Sequence, residues 1–407
     1  MLLPGDAAVV HRDRELAALP VLLDDAALGV QLRGCWTSDL ARPDMSRVTY
    51  LRYKPGTMVV AAVETVTRDV RAVRLLVATS GSARAKLDKL RSSATRHGIP
   101  VLAADDDLRV LLLPVEADRH LPGLRRIEDR VGWLDRDLRR SRLRVLAYKP
   151  HRRFVARIEV DGVATAVVKV HQPRAAGRPL AALRWASEVA LDRVPLPRLV
   201  AADPETGVAV TAWSPGAALH EQDPDRRRAT LRAVGKALGR LHQLDPKGLP
   251  EAPTPERAPL VEAIRQLRPD LAAIAGTIDH AAGSCTLTPV HGDLSPDQVV
   301  HGSEGIALID LDRAGRGCPA TDLASWIAAS IVEAPAGPPD ARVPDPLLEG
   351  YRSVDGPATR ADILQHLPIE LLRRATDPFR HRRADWSASM ARIVGFAADT
   401  GTEVGAA

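Results

Sequence analysis

Hydrophobic and polar positions divide the chain into a strand-rich first half and a helical remainder. Thr49–Glu64 (TYLRYKPGTMVVAAVE) and Arg144–Glu159 (RVLAYKPHRRFVARIE) each place two strand-like runs around a Lys-Pro turn, which predicts two β-hairpins. Seven of the sixteen positions match without gaps, including Tyr53-Lys54-Pro55 against Tyr148-Lys149-Pro150. The likeness continues downstream. Helical periodicity covers Gly81–Gly98 and Arg178–Asp192, Val101–Asp105 echoes Leu199–Asp203, and strands are expected at Leu108–Val115 and Val208–Trp213. The order hairpin, strand, helix, strand, strand therefore occurs twice, an internal repeat of α+β character.

The two copies differ in one chemically important place. The second carries Lys169 on the otherwise apolar strand Val167–Val170, whereas Arg74–Thr79 of the first has no lysine. The chain has only seven lysines, and burying one without a partner costs several kcal/mol. Glu188, in the helix that follows, is the expected partner. Between the copies, residues 124–140 read as an amphipathic linking helix. Beyond them, helices are expected at Asp225–Gln243, Leu260–Ala281, Ala320–Ala328, Ala361–Arg374 and Ala384–Ala397, with a Pro-rich loop over residues 333–346.

The helical part also holds the densest chemical signal. An apolar run ends at Val290-His291-Gly292-Asp293, Gln298 follows, and a second apolar run, Ile306–Ile309, delivers Asp310 and then Asp312. One Asp to orient a hydroxyl, with an amide and a second Asp to hold Mg2+ on a nucleotide, is the set that phosphoryl transfer needs. His-Gly-Asp, the amide five residues on, the Ile-Asp-x-Asp run and Asp322-Leu323-Ala324, in that order, resemble the aminoglycoside phosphotransferase family, relatives of choline kinase. Gln298 departs from the commoner Asn and resembles the maltokinase-like members. The resemblance implies an α+β, protein-kinase-like bilobal fold, with a small β-rich N-lobe and a helical C-lobe, preceded by a second, degenerate N-lobe-like domain. The expected divisions are residues 1–46 (a helical segment), 47–141 (the degenerate lobe with its linker helix), 142–215 (the nucleotide-binding lobe) and 216–407 (the helical lobe).

The same resemblance assigns roles. Asp293 would orient the acceptor hydroxyl as catalytic base, while Gln298 and Asp310 would hold Mg2+. Lys169 would hold the ATP α- and β-phosphates, kept in place by Glu188. Asp312 would assist a second metal or cap the next turn. Tyr148–Arg153 would cover the phosphates with backbone N–H groups and basic side chains, or form a solvated basic turn. His291 is expected to bond loop backbone, Asp322 to tie the loop together and cap the helix opening at Leu323, and His242 to pack. Phe379–Arg383 is read as a charged helix start facing water, with contact to an anionic acceptor as the other account.

Composition removes several function classes. Net charge is +5 without a dense basic block, and aromatic residues make up 3%, against a stacking platform for nucleic acid. The three cysteines, Cys35, Cys285 and Cys318, show neither a metal spacing nor a disulfide framework. No signal peptide and no membrane-length apolar run is evident, so a cytoplasmic enzyme is expected. The leading expectation is an ATP- and Mg2+-dependent kinase acting on a hydroxyl of a sugar, an aminoglycoside-like antibiotic or another metabolite. Its alternatives are a kinase for Ser or Thr of a peptide and a kinase-like scaffold.

Overall fold

The computed structural model describes residues 2–127, 141–190, 194–278, 285–303, 305–334 and 340–405. Most of the expected linker helix and the middle of the Pro-rich loop lie outside them. The chain packs as two compact units: Met1–Arg174 with Asp203–Val208 and Pro378–Ser387, and Ala175–Ala202 with Ala209–Asp377 and Ala388–Ala407.

The first unit opens with helices Pro4–Arg12, Leu19–Leu22 and Asp25–Gly34. Strands β1 (Met45–Lys54), β2 (Met58–Thr67), β3 (Val70–Thr79), β4 (Ala103–Asp105) and β5 (Val110–Pro114) form a sheet in the order β1-β2-β3-β5-β4. Helix Ala85–Arg96 lies between β3 and β4 in sequence. Val59 through Val63 are all buried, so β2 reads as a continuous apolar run, as expected of a strand covered on both faces. Strands β6 (Ser141–Lys149), β7 (Arg153–Val160) and β8 (Val163–His171), with β9 (Leu199–Asp203) and β10 (Val208–Ala212), whose residues fall mostly in the second unit, repeat that order as β6-β7-β8-β10-β9. Edge strand β6 keeps Arg142 and Arg144 on an exposed edge, where charge disfavours pairing with another chain.

Register carries the likeness to individual residues. Tyr53 pairs Val59 and Lys54 pairs Met58 in the first hairpin; Tyr148 pairs Phe154 and Lys149 pairs Arg153 in the second. On the next strand, Val60 pairs Val77, and the equivalent Val155 pairs Lys169. Val77, 3% exposed, thus stands where the second copy has its lysine.

Each Lys-Pro turn is held by a buried aspartate from an upstream segment. Asp13 accepts from Tyr53 Oη and from the Gly56 amide, both at 2.8 Å. Asp118 accepts from Tyr148 Oη at 3.0 Å and from the His151 amide at 2.7 Å. Gly56 and His151 both take positive φ, +60° and +62°. That conformation is ordinary for glycine and strained for histidine. The His151 amide is therefore committed to Asp118, and Tyr148 is buried, so the turn is not simply a solvated basic loop. Both aspartates open an Asp-Arg-x-Leu stretch, Asp13–Leu16 and Asp118–Leu121, whose leucines are buried. The repeated pattern thus begins upstream of each hairpin.

Residues Phe379–Arg383 belong to this unit and face water only in part: His381 is exposed, whereas two neighbours turn inward. Phe379 is buried, and Arg382 forms an ion pair of 2.7 Å with the fully buried Asp6, which also accepts from Trp386 Nε1 at 3.0 Å. A guanidinium is stable there because the carboxylate is its partner.

The second unit is mainly helical, with helices Pro224–Leu241, Arg257–Leu267, Pro269–Thr277, Ala320–Glu333, Asp345–Arg352 and Arg360–Arg374. Pro224–Leu241 packs directly on Asp345–Arg352. A Cβ on Gly235 would sit 1.9 Å from the Leu347 carbonyl oxygen, and one on Gly350 would sit 2.0 Å from that of Arg232. Ala320–Glu333, buried along most of its length, packs on Arg360–Arg374. No described helix is long and apolar enough to cross a membrane.

Candidate active site

A short antiparallel pair, Thr288–Val290 with Gly315–Gly317, brings the chain to the His-Gly-Asp turn. Gly292 has φ +76°, and a Cβ there would lie 2.2 Å from the Arg313 carbonyl oxygen, so only glycine fits. His291 is fully buried and donates from Nε2 to the Ile309 carbonyl at 2.8 Å, a bond to loop backbone as expected.

Asp322 clamps this turn. Its two carboxylate oxygens accept the amides of His291 and Gly292, each at 2.7 Å, and its side chain is fully buried. The helix begins at Ala320, so Asp322 lies inside its first turn and does not cap a helix opening at Leu323. His242 adds a third contact, Nε2 to Asp322 at 3.1 Å, while its Nδ1 lies 2.9 Å from Tyr351 Oη. Tyr351 Oη also accepts the Ala358 amide at 3.1 Å. The network then assigns one arrangement: Tyr351 donates to Nδ1 and His242 donates from Nε2 to Asp322. His242 is a buried polar link, not merely packing.

The Asp293 side chain stays 31% exposed. Its Oδ1 is shared by two arginines of helix Arg360–Arg374, with Arg373 Nη2 at 2.9 Å and Arg374 Nη2 at 2.7 Å. Oδ2 receives no hydrogen bond among the described residues. Burial alone would raise the carboxyl pKa; Arg374, then Arg373 and Arg313, outweigh it and hold the group below its ordinary value. Arg373 also bonds Glu370 at 2.6 Å, and both arginines bond Ser325 Oγ, at 3.2 and 3.0 Å. Arg313 instead donates to the main-chain carbonyls of Gly292 and Pro253, at 3.2 and 3.1 Å.

Gln298 ends a 3-10 turn, Pro296–Gln298, and its carbonyl accepts the Ile309 amide at 2.9 Å. That bond brings the residue before Asp310 to the end of the His-Gly-Asp loop. The Gln298 side-chain Nε2 donates to Asp297 Oδ2 at 3.1 Å, which leaves the amide oxygen as the atom available to a cation. The strand Gly305–Leu308 stops before Asp310, which adopts a left-handed conformation, φ +68° and ψ +62°. Asp312 sits in the 3-10 turn Leu311–Arg313, so strand alternation does not place it on the face of Asp310.

Lys169 lies on β8 of the first unit, half-buried, and Glu188 lies in the second unit, exposed in a π-helical turn, Ala186–Ala190. Sequence reasoning missed Arg373, Arg374 and Ser325. An Arg-Arg pair in the last turn of a helix reads as a complement to the helix dipole, and nothing local marks it as facing Asp293.

The family model described as phosphotransferase enzyme family matches residues 150–361. No curated protein matches the chain. Among solved structures, an aminoglycoside phosphotransferase, APH(3'')-Id from Streptomyces rimosus, is 19% identical, covering 60% of this chain and 98% of that one with a TM-score of 0.44. A choline/ethanolamine kinase family protein from Mesorhizobium loti is 17% identical, covering 67% and 94% with a TM-score of 0.47. The amicoumacin kinase hAmiN, in complex with AMP-PNP, Ca2+ and Ami, is 17% identical, covering 63% and 88% with a TM-score of 0.43. The family match spans more than half of the chain and takes in the His-Gly-Asp loop, Gln298, Asp310 and Asp322, and on that ground the chain belongs to the phosphotransferase enzyme family: it is a phosphotransferase of α+β architecture.

Proposed function

We propose that the protein is an ATP- and Mg2+-dependent kinase that transfers the γ-phosphate to a hydroxyl of a small molecule. The observation carrying this reading is the state of Asp293: one carboxylate oxygen is held by two guanidiniums, and the other receives no hydrogen bond among the described residues. A pinned, ionised carboxylate can accept a hydrogen bond from an acceptor hydroxyl and aim its oxygen along the line of attack. In a loose transition state that positioning matters more than early proton removal. The proton passes to Asp293 as the new O–P bond forms and the bond to the ADP leaving oxygen breaks.

The donor set suits Mg2+, a hard cation that takes oxygen ligands and keeps several waters. Gln298 Oε1 and the Asp310 carboxylate would hold it; no group of three or more His, Cys, Asp or Glu side chains is gathered for a metal among the described residues. When bound, the metal neutralises charge on the β- and γ-phosphates. Lys169 would contact the α- and β-phosphates, and Glu188 would help position it. Asp310→Ala should abolish Mg2+-dependent ATP binding; calorimetry giving equal affinity with EDTA and with Mg2+ would contradict this assignment.

The first repeat, residues 47–141, serves in this reading as a degenerate lobe. It carries Val77 where the second has Lys169, and it has no catalytic loop of its own. Residues 142–215 then form the nucleotide-binding lobe, and 216–407 the helical lobe. One ATP per chain is the expected stoichiometry, lost in Lys169→Met; binding of two nucleotides would remove the degenerate-lobe assignment.

A further inference from the structure

Within the second unit, three arginines surround Asp293, and their charges are not balanced by the carboxylates they touch. Arg373 is shared between Glu370 and Asp293, whereas Arg374 makes its ion pair with Asp293 alone. Arg313 is near enough to both arginines to be disfavoured by them, and it donates hydrogen bonds to main-chain carbonyls. Three guanidiniums therefore face two carboxylates, Asp293 and Glu370. In addition, Arg374 Nε is buried without a hydrogen-bond partner. A buried, unsatisfied N–H on a charged group costs free energy that a correctly placed acceptor atom would recover.

This arrangement is unsuited to a polycation. Docking a hydroxyl on Asp293 brings the rest of the acceptor to within a few ångströms of Arg374, 2.7 Å from that carboxylate, in a partly desolvated site where charge pairs interact strongly. An ammonium there is repelled, a neutral polyol gains little, and a carboxylate or phosphate meets a planar donor fork. We propose that the acceptor carries an anionic group, a carboxylate or a phosphate, close to the hydroxyl that is phosphorylated, and that Arg374, assisted by Arg373, recognises it. This rests on Asp293 being the acceptor-orienting residue.

The test uses the full chain loaded with a non-hydrolysable ATP analogue and Mg2+, the loading being measured first. Failure to load would count against the kinase reading, independently of the acceptor. The loaded protein is titrated calorimetrically with glucose, glucuronate, glucose 6-phosphate and glucosamine, four versions of one scaffold. At least one anionic sugar should bind about tenfold or more tighter than glucose, and glucosamine more weakly still. Which anion binds better tells carboxylate from phosphate. In Arg374→Gln the preference should fall to about threefold or less, while Arg374→Lys should keep most of it; thermal melting confirms that each variant folds. Equal binding of all four, no binding of any, tighter binding of glucosamine, or a preference that survives in Arg374→Gln would each overturn the proposal.

Discussion

Asp293→Asn should lower kcat by ~10²–10⁴-fold while leaving ATP binding near that of the parent, because a positioned base is lost and no group assigned to the nucleotide is touched. The amide keeps the size of the carboxylate but cannot take the acceptor proton or offset the charges of Arg373 and Arg374. Folding should survive, since Arg373 retains Glu370 and both arginines retain Ser325. Single-turnover assays alongside nucleotide titration separate the two effects; retention of more than about a tenth of kcat would remove Asp293 from its role. The sign of the pKa shift adds a pH expectation. With its carboxyl held below the ordinary value, Asp293 contributes stability above the unfolded-state pKa, ~3.9, which is lost as pH falls through the folded-state value. Asp293 stays ionised from pH 5 to 8, so any acid limb of the rate profile in that range must come from another group.

Asp322→Ala should be the most damaging change to the structure. It leaves three donors, the His291 and Gly292 amides and His242 Nε2, unsatisfied in a fully buried site. At ~1–3 kcal/mol for each unsatisfied group, the loss is about 3–9 kcal/mol, a large part of a typical domain's stability. Any protein that still folds should have lost the turn that presents Asp293 and should be inactive. Asp322→Asn retains size but offers one acceptor oxygen where two are used, and should be intermediate in melting temperature. A melting temperature for Asp322→Ala within two or three degrees of the parent would show that the clamp is dispensable.

Much of this was written locally in the chain. Alternation and the Lys-Pro turns of Thr49–Glu64 and Arg144–Glu159 determine two hairpins, because side-chain period and turn chemistry act over a few residues. The His-Gly-Asp turn, Gln298 and Asp310 are likewise close in sequence, so their order and spacing announce phosphoryl transfer, and the role of Asp322 in tying the loop follows from the same motif. What tertiary structure alone decided depends on contacts between distant segments. Asp13 and Asp118 reach turns that begin some 30 to 40 residues later, through one buried carboxylate each. Arg382 is drawn to Asp6 from the far end of the chain. Arg374 reaches Asp293 from 81 positions away, and no periodicity encodes that distance. Long-range charge pairing is chosen by which buried group lacks a partner once the elements have packed, and neither side of such a pair carries a local sign of the other.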